Sequence, residues 1–185
     1  MRRAALAVLL VLGAGACRRF LPPKAPKAAA AASAAGFALT DFDQKLGEYT
    51  CRAPAAWRVL EDPVDAQDVM FFGPPRVSIS IGRYDGRTGP VKTPQDYYKA
   101  AKRSGAKVGP LSRDVVGGRA IYRLSEVEPV RYPNSPKVLY LRRADVALIP
   151  AKTGFYAVEH RAPEDGYRAT LPVFEAVVDS LKPRG

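Results

Sequence analysis

The feature that most restricts the fold of this chain is a short stretch in which apolar and small polar residues alternate strictly. In VSISIGRY, which begins at Val77, the valine and the two isoleucines would share one face of a strand, and the serines would share the other. Such an alternation indicates a β-strand with one buried face. The apolar run VMFFG precedes it, and Gly73-Pro74-Pro75 predicts a turn between the two strands.

Two further pairs of apolar runs repeat this design. RDVVGGRAIYRLSEV carries Gly117-Gly118 between β-branched and aromatic residues, which is a strong signal for a hairpin turn of two residues. ADVALIPAKTGFYAVEHRAP forms a third pair around Lys152-Thr153-Gly154. Shorter strands are predicted on both sides of Pro54, over residues 49–52 and 57–61.

Two helices complete the pattern. Thr93 supplies a capping hydroxyl before Pro94, so that a helix is predicted over residues 94–104. A second helix is predicted from the apolar spacing that starts at Leu171, with Pro172 in its first turn, and residues 164–170 are expected to form a separate turn. The fold class is therefore α+β, a curved antiparallel sheet built from hairpins and flanked by helices.

The N-terminus has the pattern of a secretory signal. Two arginines precede an apolar stretch, residues 4–16, which ends in small residues. It is shorter than the about 20 apolar residues that cross a bilayer, so a cleaved signal over residues 1–16 is expected. The small residues before Cys17 fit an ordinary signal peptidase site. They also resemble the end of a bacterial lipobox, although Ala14 stands where leucine is usual.

The segment that follows has the composition of a solvated tether. Residues 17–36, CRRFLPPKAPKAAAAASAAG, contain three prolines and almost no large apolar residue. Since a cysteine at the start of a tether has no structural use, we expect Cys17 to carry a lipid. Residues 37–185 would then form a single domain, with Cys51 as a small buried residue. The alternative left open is an unmodified Cys17, which could form a disulfide with Cys51.

The positive charge is concentrated in the N-terminal segment. The chain has a formal net charge of +11, but residues 1–36 hold six Lys or Arg and no acid, which leaves 23 basic and 18 acidic residues beyond them. That balance is ordinary for a soluble surface and argues against nucleic acid as the partner. Close to a membrane, each basic residue of the tether would add about 1 kcal/mol of attraction to anionic lipids. A weaker alternative is binding of an anionic polymer by the domain, and loss of that binding on removal of the tether would assign it to residues 18–27 instead.

The order of these motifs resembles the PsbP and Mog1 group of α/β/α sandwiches. The resemblance covers residues 37–183 and rests on APAAW, the TPQDYYKAAKRSG helix, the GFYAVEHRAP strand and the closing FEAVVDSLKP helix. It implies a binding or assembly module, since the family is mostly non-enzymatic and many bacterial members are exported lipoproteins. No functional residues of the family carry over. The metal-site histidines of photosynthetic members have one candidate counterpart, His160, so no metal is implied.

No motif for catalysis or for a cofactor stands out. His160 is the only histidine, and no G-x-S-x-G elbow surrounds any serine. A zinc site needs three or four clustered ligands, and the glycine-rich stretches lack the spacing of a P-loop or a dinucleotide fingerprint. Trp57 is expected to anchor the core. We therefore predict no catalytic residues, no cofactor and no metal.

Two loops are the best candidates for contact with a partner. EPVRYPNSPK is stiffened by three prolines and presents Arg131 and Tyr132, residue types that are favoured at interface hot spots. RYDGRTGPVK presents Arg83, Tyr84 and Arg87 on a glycine-rich loop. The alternative is that both are ordinary solvated loops.

Together these features predict a lipoprotein of the bacterial cell envelope, anchored in a membrane through Cys17 and binding an envelope protein. The sequence leaves the choice between inner and outer membrane open. The alternative function is a soluble exported hydrolase or small-ligand-binding protein without lipid, and its enzymatic form would depend on His160.

Overall fold

The computed structural model describes residues 36–61 and 68–184. The predicted signal sequence, Cys17 and all of the tether except Gly36 lie outside the described residues. The described part contains, in chain order, the strands β1 (Leu39–Asp43), β2 (Tyr49–Pro54), β3 (Arg58–Glu61), β4 (Val69–Phe72) and β5 (Ser78–Tyr84), then α1 (Pro94–Arg103), β6 (Lys107–Val108), β7 (Ser112–Val116), β8 (Arg119–Arg131), β9 (Val138–Pro150), β10 (Phe155–Pro163), α2 (Glu164–Ser180) and β11 (Lys182–Pro183).

Most of these strands form one antiparallel sheet with the order β3-β4-β5-β10-β9-β8-β6, and β7 also pairs with β8. The three predicted hairpins are confirmed as β4–β5, β7–β8 and β9–β10. The β9–β10 turn requires glycine, because Gly154 has a φ of +72° and a Cβ there would lie 1.8 Å from the carbonyl oxygen of Tyr84.

The two strands predicted around Pro54 form, but in different sheets. β2 joins β1 and β11 in a small sheet of three strands, whereas β3 lies at the edge of the large sheet. The Pro54 turn therefore carries the chain from one sheet to the other instead of closing a hairpin.

Buried apolar side chains lie on both faces of the large sheet. On one face, α2 and the small sheet cover a core that includes Tyr49, Phe71 and Phe174. On the other face, α1 contributes partly buried residues such as Tyr97 to a smaller cluster around Leu148 and Phe155. This arrangement confirms the predicted α+β class with a curved antiparallel sheet between helical layers.

The helix α1 begins as predicted. The Oγ1 atom of Thr93 accepts a hydrogen bond from the Asp96 N–H at 3.2 Å, and Pro94 occupies the first turn. The helix ends at Arg103, one residue before the predicted end.

The prediction for α2 was wrong at its start. Residues 164–170 do not form a separate turn but are the first turns of one helix that runs to Ser180, with Pro172 in its interior. The side chain of Pro172 is exposed, whereas Thr170, Val173 and Phe174 on the opposite side are buried. Packing of this buried stripe offsets the loss of the hydrogen bond that proline cannot make.

Neither described helix is long and apolar enough to cross a membrane.

Candidate functional site

Arg83 lies on a strand and not on a loop, because β5 extends through Tyr84, and its side chain is partly buried. Its Nη1 atom donates to Oε1 of Glu48 at 2.7 Å, and its Nη2 atom donates to Oγ1 of Thr153 at 3.3 Å. The guanidinium lies 5.8 Å from the ring centroid of Tyr156. These contacts hold the β9–β10 turn and the start of β2 against β5.

Tyr84 is also a packing residue. Its ring stacks on Phe155 with a centroid separation of 4.9 Å and an interplanar angle of 7°, and it meets Tyr97 edge-on. The predicted loop placement of Arg83 and Tyr84 is therefore corrected: the loop begins only after Tyr84.

Arg87 is exposed on that loop. The carboxylate of Asp85 accepts hydrogen bonds from the N–H groups of Arg87 at 2.7 Å and of Thr88 at 2.9 Å, which lowers the pKa of Asp85 to about 2. The strand register places this loop at one end of the large sheet, beside the β9–β10 turn. It lies at the opposite end from Tyr132, so the two predicted loops do not form one site.

Arg131 and Tyr132 lie at the end of a hairpin that is longer than its neighbours. Pairing between β10 and β9 stops at Pro163 and Arg142, and β6 pairs with β8 only as far as Val127. Beyond these points β8 and β9 continue as a two-stranded extension, residues 128–141, which we call the hairpin tip.

The turn of the hairpin tip is held by local contacts. The Tyr132 N–H donates to the Lys137 carbonyl at 3.1 Å, and Nη1 of Arg131 donates to the Pro136 carbonyl. Nζ of Lys137 lies 5.7 Å from the ring centroid of Tyr132. The tip is therefore an ordered surface, with both predicted residues exposed on it.

The hairpin tip combines exposed apolar surface with positive charge. Its exposed large apolar residues are Tyr132 at 44%, Val138 at 43%, Leu139 at 38% and Leu141 at 45%. Within the tip, Arg131 and Lys137 are basic, and Glu128, which pairs with Arg142, is acidic. Sequence reasoning did not single out the three aliphatic residues, because VLYL reads as part of an ordinary buried strand and only the ends of β10 and β6 reveal its exposure.

A groove lies beside the hairpin tip, at the junction where β10 ends and α2 begins. Its volume is about 450 Å³, and its lining includes Phe37, Tyr140 and Ala169, the β4–β5 turn and the first turns of α2. The guanidinium of Arg76 lies 4.9 Å from the ring centroid of Tyr140, which joins the turn to the hairpin. Arg76 and Asp165 are the charged residues in this lining.

His160 is fully buried and has a structural environment. Its Nε2 atom is 2.9 Å from Oγ1 of Thr170, and its ring stacks on Phe174 with a centroid separation of 5.7 Å. Burial lowers the pKa of His160 to about 4. Its Nδ1 atom has no hydrogen-bond partner within the described residues, so no carboxylate orients the ring as a triad requires.

Cys51 is buried, and burial raises the pKa of its thiol to about 12. Such a thiol is almost entirely protonated at neutral pH and is a weak nucleophile. Within residues 36–61 and 68–184, no three His, Cys, Asp or Glu side chains are grouped so that they could hold a metal ion.

The chain is similar to several solved structures. The Ran-binding protein Mog1p of Saccharomyces cerevisiae superimposes with a TM-score of 0.55 at 13% identity, over 80% of this chain and 96% of that one. Cyanobacterial PsbP from Synechocystis sp. PCC 6803 gives a TM-score of 0.51 at 17% identity, over 78% of this chain and 92% of that one. The domain has the PsbP and Mog1 fold. At these identities the likeness shows the fold alone.

A crystal structure from Bacteroides thetaiotaomicron VPI-5482 also matches, with a TM-score of 0.51 at 13% identity. The match covers 78% of this chain and 48% of that one, so the chain spans about half its length. No protein-family model and no curated protein matches the sequence.

Proposed function

We propose that this protein is an exported lipoprotein, anchored in a membrane through Cys17, whose domain is a non-catalytic binding or assembly module of the cell envelope. The observation that carries the binding role is the hairpin tip, where four large apolar side chains stand exposed beside basic residues. Exposed apolar patches rimmed by polar groups mark interaction sites in soluble domains.

The anchor in this proposal rests on the N-terminal sequence. An apolar stretch that ends in small residues leads to Cys17, and a tether rich in proline and alanine separates that cysteine from the domain. Two or more acyl chains hold a protein stably at a bilayer, because each buried methylene contributes about 0.8 kcal/mol. The tether would leave the domain free to meet a partner near the membrane.

The non-catalytic part of the proposal is supported by the state of His160. A neutral imidazole that is buried against Phe174 and bonded to Thr170 cannot reach a substrate. The fold is also compatible with a binding role, since Mog1p of similar fold is a Ran-binding protein. We propose that the partner is an envelope protein that contacts Arg131 and Tyr132, whereas Arg83 and Tyr84 act inside the domain.

The test is a double variant, Arg131→Ala with Tyr132→Ala, used as bait in envelope extracts. We expect it to melt at most slightly below the wild type, because both side chains are exposed and the contacts they lose, to Pro136 and Lys137, lie within their own turn. We also expect it to lose a protein that the wild type captures. A matched control is Arg113→Ala with Val115→Ala, which removes an exposed arginine and an exposed apolar residue from β7. Recovery of the same proteins by all three baits would overturn the proposal.

A further inference from the structure

The free edge of β9 carries an inference about the kind of partner. On the side of β9 that faces β10, pairing covers Arg142 to Pro150. No described strand pairs with residues 138–141 on that side. An unpaired edge of this kind is a template for another strand, and natural proteins usually protect it.

The two prolines opposite this region show which backbone groups are free. Pro129 lies opposite Leu141 in the β8–β9 ladder, and Pro163 lies opposite Arg142 in the β9–β10 ladder. Since proline has no N–H, neither pair is a hydrogen-bonded pair of an antiparallel ladder. In such a ladder the two kinds of pair alternate, so Arg142 bonds toward β8.

By the same alternation, the backbone polar groups of Leu141 point in the opposite direction to those of Arg142. The N–H and the C=O of Leu141 point away from β8, to the side where β10 has already ended. Its side chain is 45% exposed. Leu141 therefore offers a backbone donor, a backbone acceptor and an apolar side chain at one exposed position.

The groove lies beside this edge. Pro163, the last residue of β10, lines the groove. Tyr140, the neighbour of Leu141 on β9, lines it as well. A strand placed next to Leu141 would continue the line of β10 beside the groove, and the irregularity of β9 at Leu139 would end the regular pairing. Main-chain bonds to the edge and a side chain in a neighbouring pocket are the two elements of recognition by strand addition.

The charge of this surface indicates which peptide sequences would bind to the edge of β9. Arg131 and Lys137 are exposed on the hairpin tip, and Arg76 lines the groove, with Asp165 as the acidic residue of that lining. The other two basic residues nearby are already paired, Arg142 with Glu128 and Arg143 with Glu164. The remaining positive charge favours an acidic peptide over a basic one.

We propose that the hairpin tip binds its partner by strand addition, taking an extended segment in which apolar and acidic residues alternate onto the edge of β9 at Leu141. This inference rests on the proposed function, of which it names the recognition mode. The edge is short and is interrupted at Leu139, where the β8–β9 register shifts, so the contact is small and the binding is expected to be transient.

The test uses the full chain with Cys17→Ser and a displayed library of random peptides twelve residues long. We expect selected peptides to alternate apolar residues with Asp or Glu. Leu141→Pro should weaken their binding about tenfold, because it removes the outward N–H without removing a bond to β8. Leu141→Val keeps that N–H and should bind as the wild type does. Binding should also weaken as salt is raised.

Amide hydrogen exchange on the wild-type chain provides a second readout that does not depend on a variant folding. Addition of a selected peptide should slow exchange at the Leu141 amide and leave the Arg142 amide unchanged, since the latter already bonds to β8. Equal binding to Leu141→Pro and Leu141→Val would overturn the proposal. So would a Leu141 amide that stays unprotected when peptide binds.

Three further results would identify a different occupant and overturn the proposal. Protection of Leu141 in a self-associated chain without peptide would indicate a second copy. Protection in the monomer that is lost on deletion of residues 28–35 would indicate the chain's own tether. Binding to anionic vesicles, with no peptide selected, would indicate a lipid surface. Because Cys17 is serine throughout, failure of the lipid anchor would leave these results unaffected.

Discussion

At the scale of single residues, some buried polar groups are paired within small local sets, whereas others, such as Nδ1 of His160 and Nε1 of Trp57, have no hydrogen-bond partner within the described residues. Oγ1 of Thr170 donates to the Gly166 carbonyl at 3.1 Å and so accepts a hydrogen bond from Nε2 of His160. This assigns the proton of the neutral imidazole to Nε2. The tyrosine hydroxyls of α1 and α2 reach the sheet in the same manner, Tyr97 donating to Glu159 and Tyr167 to Asp145.

His160 predicts a specific loss of stability in mild acid. Its pKa in the folded protein is about 4, below the ordinary value of 6.5, so the unfolded chain binds more protons between these pH values. The contribution of the neutral ring is complete above pH 6.5 and falls as the pH drops toward 4, by up to about 3 kcal/mol. His160→Gln keeps a donor for Thr170 but does not titrate.

Urea unfolding of both proteins at pH 7 and at pH 4.5 measures this effect. We expect the wild type to lose more stability than His160→Gln over that interval, since other titrating groups are common to both. Equal losses in the two proteins would mean that His160 does not titrate below its ordinary range.

Alanine substitutions at two glycines are expected to change the stability of the fold in opposite directions, one through a steric clash and the other through helix propensity. A Cβ at Gly73 would lie 2.5 Å from Cε2 and Cζ2 of the buried Trp57, so Gly73→Ala is expected to destabilise the fold by about 1–3 kcal/mol. At Gly166, within α2, the nearest atom to an added Cβ is 3.7 Å away. Gly166→Ala should therefore stabilise by about 0.5–1 kcal/mol.

Chemical denaturation of the two glycine variants beside the wild type checks both signs. A Gly73→Ala protein as stable as the wild type would contradict the packing of Trp57 over this turn. A destabilised Gly166→Ala protein would contradict the ordinary van der Waals contacts, at 3.7 Å and beyond, that an added Cβ would make there.

At the scale of elements, α2 illustrates how packing overrides a local signal. Pro172 is a usual residue for the first turn of a helix, which is why the sequence predicts a start near Leu171. The structure begins the helix at Glu164 and gains the burial of Thr170 and Val173 in one continuous face. Arg123 adds a link to this helix, with Nη1 and Nη2 donating to the Glu175 carboxylate at 3.1 and 2.8 Å.

The interior proline predicts a stabilising substitution. Pro172→Ala restores an N–H that can bond to the carbonyl four residues earlier, and the side chain is exposed, so no packing is lost. We expect a gain of about 1–2 kcal/mol, after allowance for the greater freedom of the unfolded chain. Pro136→Ala, in the turn of the hairpin tip, is the control and should be neutral or slightly destabilising. Thermal unfolding that ranks Pro172→Ala at or below the wild type would contradict a continuous α2.

The sequence predicted the structural features that depend on neighbouring residues. It did not predict the features that depend on contacts between distant parts of the chain. The hairpins around Gly117-Gly118 and Gly154 and the cap of α1 follow from residues within a few positions of each other. The length of β9 relative to β10 does not, because it depends on where Pro163 diverts the chain into α2. Of the five residues predicted for partner contact, Arg131, Tyr132 and Arg87 are exposed as expected, whereas Arg83 and Tyr84 are partly buried on β5.

At the scale of the whole molecule, the described residues form a large sheet with the hairpin tip exposed at one end. Phe37, the first residue of the domain, lines the same groove as Tyr140 of the hairpin. The proposed tether, residues 17–36, would therefore join the domain on the side where the hairpin tip lies. A lipid at the far end of the tether would keep the tip within reach of partners at the membrane, at a raised local concentration.

The central claim is the anchored binding module, and its most direct test is the mass of the N-terminal peptide. The protein would be expressed in a bacterium beside Cys17→Ser, and both would be measured by intact-mass and peptide mass spectrometry. We expect an acyl-glyceryl group on Cys17 that the variant lacks. An unmodified Cys17, or one in a disulfide with Cys51, would contradict it.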